Sequence, residues 1–371
     1  MSNRDEVSRC ALSVTLFILL LALAVNVMHV IELDTIAHQS TVVVSKPEKR
    51  GMLRAGTSHG PIVIDGDDNF ATTAFAEGWL GDGSPEDPFI IDGLDIDFVD
   101  IRNTRVSFTL RKCNLISGRL FGIRLGNVKN GEIVNNTCSD NSYGIHLLNS
   151  SSNTVVNNTV CDVGVGICVE GSASIIVSNN NCSNNMVGIS LEESSSNTVT
   201  NNTCLGNHIG ISLYYSNSTT VANNTCTNYG NSYGPNHGIY LTFSDYNTVV
   251  NNACNGNRWG IHLENSNSNI VANNTCLGNA EHDISLDDSD SNTLANNIIS
   301  IPKELVNVVL LLIGLVGITL LGVGLRRAFP KGDKDDIIVP TRHRLVSWLK
   351  MRRPIRHVDV DESLEHDSPD Q

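Results

Sequence analysis

One phrase of about 22 residues is repeated from Gly122 to Ile299, and it leaves few folds open to the chain. A Gly-Ile pair marks it at Gly122-Ile123, Gly144-Ile145, Gly166-Ile167, Gly188-Ile189, Gly210-Ile211, Gly238-Ile239 and Gly260-Ile261, with Asp283-Ile284 as a degenerate last member. The steps are 22, 22, 22, 22, 28, 22 and 23 residues. An Asn-Asn pair keeps the same step, from Asn135-Asn136 to Asn296-Asn297. A fixed period above ~20 residues is the signature of a solenoid. Within a repeat the apolar residues alternate, as in Ile211-x-Leu213, the pattern of a strand with one buried face. Asn, Gly and Ser break these runs, and they are the residues that accept left-handed backbone or bond their own main chain. Short strands and tight turns in such a unit describe one coil of a parallel β-helix. About eight coils at ~4.8 Å give a rod on the order of 40 Å long.

Stacking places equivalent positions above one another. The Asn-Asn pairs predict an asparagine ladder at a turn. Cys138, Val160, Cys182, Cys204, Cys226, Cys254, Cys276 and Ile299 share a second column. Cys alternating with Val and Ile indicates an inward site, where a free thiol behaves as a small hydrophobe. Disulfides between neighbouring coils and a thiolate metal site are the alternative readings of this column.

Before the rod, Ala11–Ile31 is mostly apolar behind a short basic start, so residues 1–33 read as a signal peptide or a signal-anchor helix. Residues 34–55 read as a spacer. Residues 56–105 read as entry strands and a cap, with Ala71–Trp79 the helix-friendly piece, and 106–303 as the repeats. Leu305–Leu325 is a second apolar span, bounded by Arg326, Arg327 and Lys331. This predicts a transmembrane helix over 304–326 with its basic flank in the cytoplasm, and a rod outside the cell. The tail, 327–371, is basic and then acidic.

Gly81-Asp82-Gly83-Ser84-Pro85-Glu86-Asp87-Pro88-Phe89-Ile90-Ile91, followed by Asn-Asn-Thr-Cys and Gly-Ile-x-Leu coils, resembles the NosD-like group of carbohydrate-binding and sugar-hydrolase (CASH) domain proteins. The resemblance covers roughly residues 60 to 300 and is in the style of archaeal cell-surface members. It implies an all-β fold: a right-handed, single-stranded parallel β-helix of the pectin-lyase type, with flanking transmembrane helices. That fold serves binding proteins, lyases, hydrolases and copper accessory proteins alike.

The residues narrow the choice. A net charge of −14 argues against nucleic acid. From Gly131 to Pro302 there is no Lys and one Arg, Arg258, so the cationic base of a lyase is missing. For a hydrolase the candidate carboxylates are Glu170 with Glu192, one coil apart, and Asp287 with Asp288; a solvated acidic face is the other reading of the same residues. No resident cofactor is expected. Calcium at the Asp287 cluster is an open alternative. Copper is not supported: His146 and His262 share an outward column far apart, and Met186 is the one Met of the rod. Tyr214, Tyr215, Tyr240, Phe243, Tyr246 and Trp259 gather near the insertion Asn228–Asn236, the least periodic part of the rod, and are the candidate ligand-binding residues. Asn149 and Asn217 are the candidate glycosylation sites, since the sequons at Asn135, Asn157, Asn201, Asn223 and Asn273 coincide with the Asn-Asn column. The reading that follows is a membrane-anchored extracellular module that contacts a surface polysaccharide or glycoprotein, or serves as a surface-structural or adhesion element. A polysaccharide hydrolase and a copper accessory protein are the rivals.

Overall fold

A computed structural model describes residues 57–116, 118–228 and 236–300, together with Val308, Leu311 and Leu312. The coils lie in one compact unit, Met1–Leu310; of the second, Leu311–Gln371, only Leu311 and Leu312 are described. The apolar spans at 11–31 and 305–325 lie almost wholly outside the described residues, as do most of the insertion and the tail. Among the described residues no helix is long and apolar enough to cross a membrane.

The chain winds into a parallel β-solenoid of about nine turns with three sheets along its length. The long-strand sheet has ten strands, from Ile62–Asp65 to His282–Asp287. The thiol sheet has eight short strands, from Thr57–His59 to Thr225–Thr227, and resumes where Thr275–Cys276 pairs with Ile298–Ile299. The valine sheet has ten, from Phe89–Asp92 to Thr293–Ala295. Each repeat supplies one strand to each sheet, except that the Cys254 coil joins the thiol sheet only through single bridges at Ala253, so residues one period apart fall in register. Ile145, Ile167, Ile189, Ile211, Ile239 and Ile261 form one fully buried file, and Val155, Val177, Val199, Val221, Val249 and Val271 another.

The cysteine column is the inner face of the thiol sheet. Cys138, Cys182, Cys204, Cys226, Cys254 and Cys276 are all buried, and Val160 stands in line with them. The nine described cysteines are free thiols, so the column is a thiol ladder. Burial pushes Cys138 and Cys254 well up, and these thiols stay protonated and inert.

The glycine of Gly-Ile is required by crowding. A Cβ on Gly188 would lie 2.6 Å from the Gly210 carbonyl oxygen and 3.2 Å from the Cys204 sulfur. The main chain of one coil thus touches the next at this corner, and any side chain would push them apart.

The Asn-Asn pair divides its work. The first member (Asn135, Asn157, Asn179, Asn201, Asn223, Asn251, Asn273 and Asn296) has φ between 53° and 57°, the left-handed conformation that Asn tolerates. The second turns inward and makes the ladder. Asn180 Nδ2 donates to Asn202 Oδ1 at 3.0 Å, and Asn202 Nδ2 to Asn224 Oδ1 at 3.0 Å. The sequon residues at Asn135, Asn157, Asn201, Asn223 and Asn273 are therefore the exposed first members, and the ladder does not consume them. Other corners carry ladders that the Asn-Asn pattern did not announce. Ser150, Ser172, Ser194, Ser216, Ser244 and Ser266 each offer Oγ to an amide N–H of the preceding coil, and Asn185, Asn207, Asn257 and Asn279 form a further set. Buried corner amides are thereby satisfied.

Near the start of the rod lies one helix, α1 (Asp67–Glu77), beginning four residues before the expected Ala71. Its Phe70 is fully buried, stacked on Phe89 at 5.2 Å and close to Phe108 and Trp79. The aromatic cluster fills the coil that has no predecessor to cover it. Gly78, left-handed, ends the helix with its N–H on the Ala74 and Phe75 carbonyls.

Candidate functional site

The outward face of the long-strand sheet carries the polar chemistry. One file holds Arg124, His146, Cys168, Ser190, Ser212, Tyr240, His262 and Ser285, and another Glu170, Glu192, Tyr214, Thr242, Glu264 and Asp287. A third file runs beside them through Tyr143, Val165, Val187, Ile209, His237, Trp259 and His282.

The aromatic candidates separate into two groups. At the corner that follows the long strands, Tyr214, Tyr215, Phe243 and Tyr246 are exposed. Tyr215 and Phe243 stack at 4.9 Å and 8°, and Tyr214 meets Tyr215 edge-on at 4.6 Å. Tyr215, Phe243 and Tyr246 have φ of 48°, 49° and 58°. Other coils fill the Tyr215 and Phe243 slot with Asn149, Gly171, Glu193, Asn265 and Asp288, and the Tyr246 slot with Ser152, Ser174, Ser196, Ser218 and Ser268. Bulky aromatic rings are poor occupants of left-handed backbone.

On the sheet face, Tyr240 and Trp259 belong to a second group that includes two histidines. The His237 ring stacks on Tyr240 at 4.5 Å and on Trp259 at 4.7 Å. Arg258 covers Trp259 at 4.2 Å and pairs with Glu281. The Tyr240 hydroxyl donates to Glu264. His262 joins His237, Nδ1 to Nε2 at 3.1 Å, and reaches Asp287 through its own Nε2 at 2.9 Å. The sequence compares His262 only with distant His146, and the Asp287–His262–His237 line emerges only in the structure. The contact crosses files: His237 stands in regular register with Trp259, and His262 lies three residues further along that strand, so no multiple of the period joins the two histidines.

Burial, with His262 and Arg258 nearby, pushes His237 down to about 4. A histidine of ordinary pKa near 6.5 in the unfolded chain binds its proton first as pH falls. The stability that neutral His237 contributes is thus complete above 6.5 and is lost as pH drops toward 4. Melting curves should show wild type losing stability over that window more steeply than His237→Gln; parallel curves would remove the effect from His237.

Glu170 and Glu192 are register neighbours, as their spacing predicts. They lie on the sheet face and are engaged separately: Glu170 with His146 at 3.0 Å, Glu192 accepting from Ser190 at 3.0 Å. A hollow of about 260 Å³ near the start of the rod, lined by Ser58, His59, Asp95 and Asn114 among others, contains no candidate carboxylate. Asp287 turns to His262, while Asp288 occupies a left-handed slot in the turn beyond. Cys168 is the residue overlooked on this face. It stands one coil from His146 and two residues from Glu170, and the three offer nitrogen, sulfur and oxygen within 4.8 Å of one another. That donor set suits a borderline or soft transition ion. Asn149 is exposed, while Asn217 is half-buried, its Oδ1 accepting the Asp245 N–H at 2.7 Å.

Among solved structures, the Azotobacter vinelandii mannuronan C-5 epimerase AlgE6 A-module is similar at 16% identity, over 58% of this chain and 65% of that one, with a TM-score of 0.49. DFA-IIIase from Arthrobacter chlorophenolicus A6 without its lid is similar at 15%, over 60% and 64%, with a TM-score of 0.43. The periplasmic alginate epimerase AlgG is similar at 15%, over 57% and 69%, with a TM-score of 0.36. The chain spans a little under two thirds of the first two structures. No curated protein matches the chain. A family model described as periplasmic copper-binding protein (NosD) matches residues 89–236 and 227–305, more than half of the sequence, and the protein belongs to the NosD family.

Proposed function

We propose that the protein is a cell-surface carbohydrate-binding β-helix, tethered through the apolar span at 305–325, that engages sugar through Tyr214, Tyr215, Phe243 and Tyr246. The observation that carries this reading is the exposed aromatic corner. Left-handed backbone costs an ordinary residue about 1–2 kcal/mol, and three neighbouring slots that other coils give to small or polar residues (Asn, Gly, Asp, Ser and, once, Glu193) hold the rings of Tyr215, Phe243 and Tyr246 instead. Ring stacking returns only about 0.5–1.5 kcal/mol per pair, and the rings are exposed, so the core gains little. Flat rings held at the surface suit the C–H faces of sugars, and function is where local rules are broken. The platform of Tyr240 and Trp259 extends the same chemistry onto the sheet. A chain of net charge −14 repels polyuronates, so a neutral or amino-sugar chain is the expected ligand.

Tyr215→Asn separates binding from stability. Asn relaxes the backbone, so the melting temperature should stay level or rise, while affinity falls by about 1 kcal/mol or more, roughly fivefold. The measurement is retention of a polysaccharide panel by the full-length protein, with chain length read by mass spectrometry. Retention that survives Tyr215→Asn and Phe243→Ala, or stronger retention of polyuronates, would sink the reading. Shortened chains would replace it with hydrolysis.

A further inference from the structure

The second outward cluster lies several coils nearer the start of the rod and is independent of the carbohydrate reading. Arg124, His146, Cys168 and Ser190 follow one another in register on the long-strand sheet, with Glu170 and Glu192 in the adjacent file. His146 is 6% exposed and Cys168 1%. The imidazole is fixed between the rings of Phe121 at 5.2 Å and Tyr143 at 5.1 Å. Its Nε2 meets Glu170 Oε2 at 3.0 Å, while its Nδ1 is buried without a hydrogen-bond partner.

Packing alone does not account for this set. Ser190, Ser212 and Ser285 occupy the Cys168 file elsewhere, so a small hydroxyl serves the fold there. The ladder thiols face the core, whereas Cys168 faces outward between a histidine and two glutamates. Carboxylates beside a thiol oppose a free thiolate, which argues against a nucleophile; a bound dication reverses that balance. A buried ring nitrogen without a partner is uncommon and calls for a cause such as a missing ion.

We propose that His146, Cys168 and Glu170 bind one transition-metal ion of the zinc class, with Glu192 or solvent completing the shell. Imidazole, thiolate and carboxylate are the donors that borderline divalent ions take. Bond lengths of about 2.0–2.3 Å place donors on one tetrahedron roughly 3.3–3.6 Å apart. The three donor atoms already lie within 4.8 Å of one another, so side-chain adjustment suffices. One thiolate and one carboxylate neutralise a dication. The stacked imidazole holds one ligand in place in advance, the condition for an affine site.

Cobalt(II) is the probe, added to the metal-free full-length protein under anaerobic, reducing conditions. The expected result is a near-ultraviolet sulfur-to-cobalt charge-transfer band with visible tetrahedral bands, both abolished by stoichiometric zinc. Cys168→Ser should remove the charge-transfer band. Glu170→Gln and His146→Gln should each weaken binding by at least about tenfold to a hundredfold, the loss that even an outer-shell partner causes. Cys161→Ser, removing a partly exposed thiol of the thiol sheet, should leave the spectrum unchanged. Metal-free melting curves show which variants are folded, and Glu170→Gln, at a half-exposed position, tests the site if Cys168→Ser is not. Copper(I) delivered from a chelator and excluding cobalt in a Cys168-dependent manner would keep the site and change its ion. A spectrum without a sulfur band, or a band that persists in folded Cys168→Ser, would overturn the proposal.

Discussion

Cys204→Lys will abolish the cooperative melting of the coils around it. Cys204 is 1% exposed, between Cys182 and Cys226, both fully buried. A lysine there must leave an unpaired ammonium among thiols and aliphatic chains or force the coil open. The penalty for an uncompensated buried charge is several kcal/mol even after relaxation. A whole domain is stable by only about 5–15 kcal/mol. In a solenoid the damage begins locally, because each coil is stabilised mainly by its neighbours. Limited proteolysis should therefore cut first near the thiol sheet of that coil, and circular dichroism should show a lowered, broadened transition. Cys204→Val is the control: Val160 occupies the same file fully buried, so a near-isosteric apolar side chain should cost under about 1.5 kcal/mol. A lysine variant that melts like wild type would mean that the position does not face inward.

Asn202→Leu should cost nearly as much, and Asn201→Gly very little, although the two residues are adjacent and identical. Asn202 Oδ1 accepts the Asn180 N–H at 2.9 Å and its Nδ2–H at 3.0 Å. Its own Nδ2 donates to the Val177 carbonyl at 2.9 Å and to Asn224. Leucine leaves the buried Asn180 N–H unpaired, at about 1–3 kcal/mol, and takes the side-chain donor from the Val177 carbonyl, at about 1 kcal/mol. Asn201 is exposed with φ 57°, a conformation that glycine adopts freely. Urea unfolding should thus separate the pair by about 2–4 kcal/mol, and hydrogen exchange at the Asn180 amide should accelerate only in the Asn202 variant. Equal effects at both positions would contradict the division of labour in the Asn-Asn pair.

That division marks where the sequence stopped being sufficient. The pair was legible as a column, and the column as a ladder, because a 22-residue step recurs in both. Which Asn turns the corner and which points inward was not, since the two are chemically identical and differ only in φ. The glycine column was legible as a marker, but its cause, one backbone pressed against the next, is a distance between coils. Glu170 and Glu192 were placed correctly as neighbours, because both follow the period. The same arithmetic was available for His146 and Cys168, which are 22 residues apart, and it would have found that cluster had Cys168 been compared with the histidine file.

The sequence by itself determined the coil, its register and its inward files. Stacking is a single translation of ~4.8 Å, so residues one period apart must meet and the alternation of apolar residues decides which face the core. The meetings between files were decided only in three dimensions. His237 reaches His262, Tyr240 reaches Glu264 and His146 reaches Glu170 from neighbouring files of the sheet. Those contacts depend on the offset of one strand against the next and on the direction each side chain takes, neither of which is periodic in the chain. The strained Tyr215 and Phe243 rings belong to the same class, because a left-handed φ appears only when the corner is built.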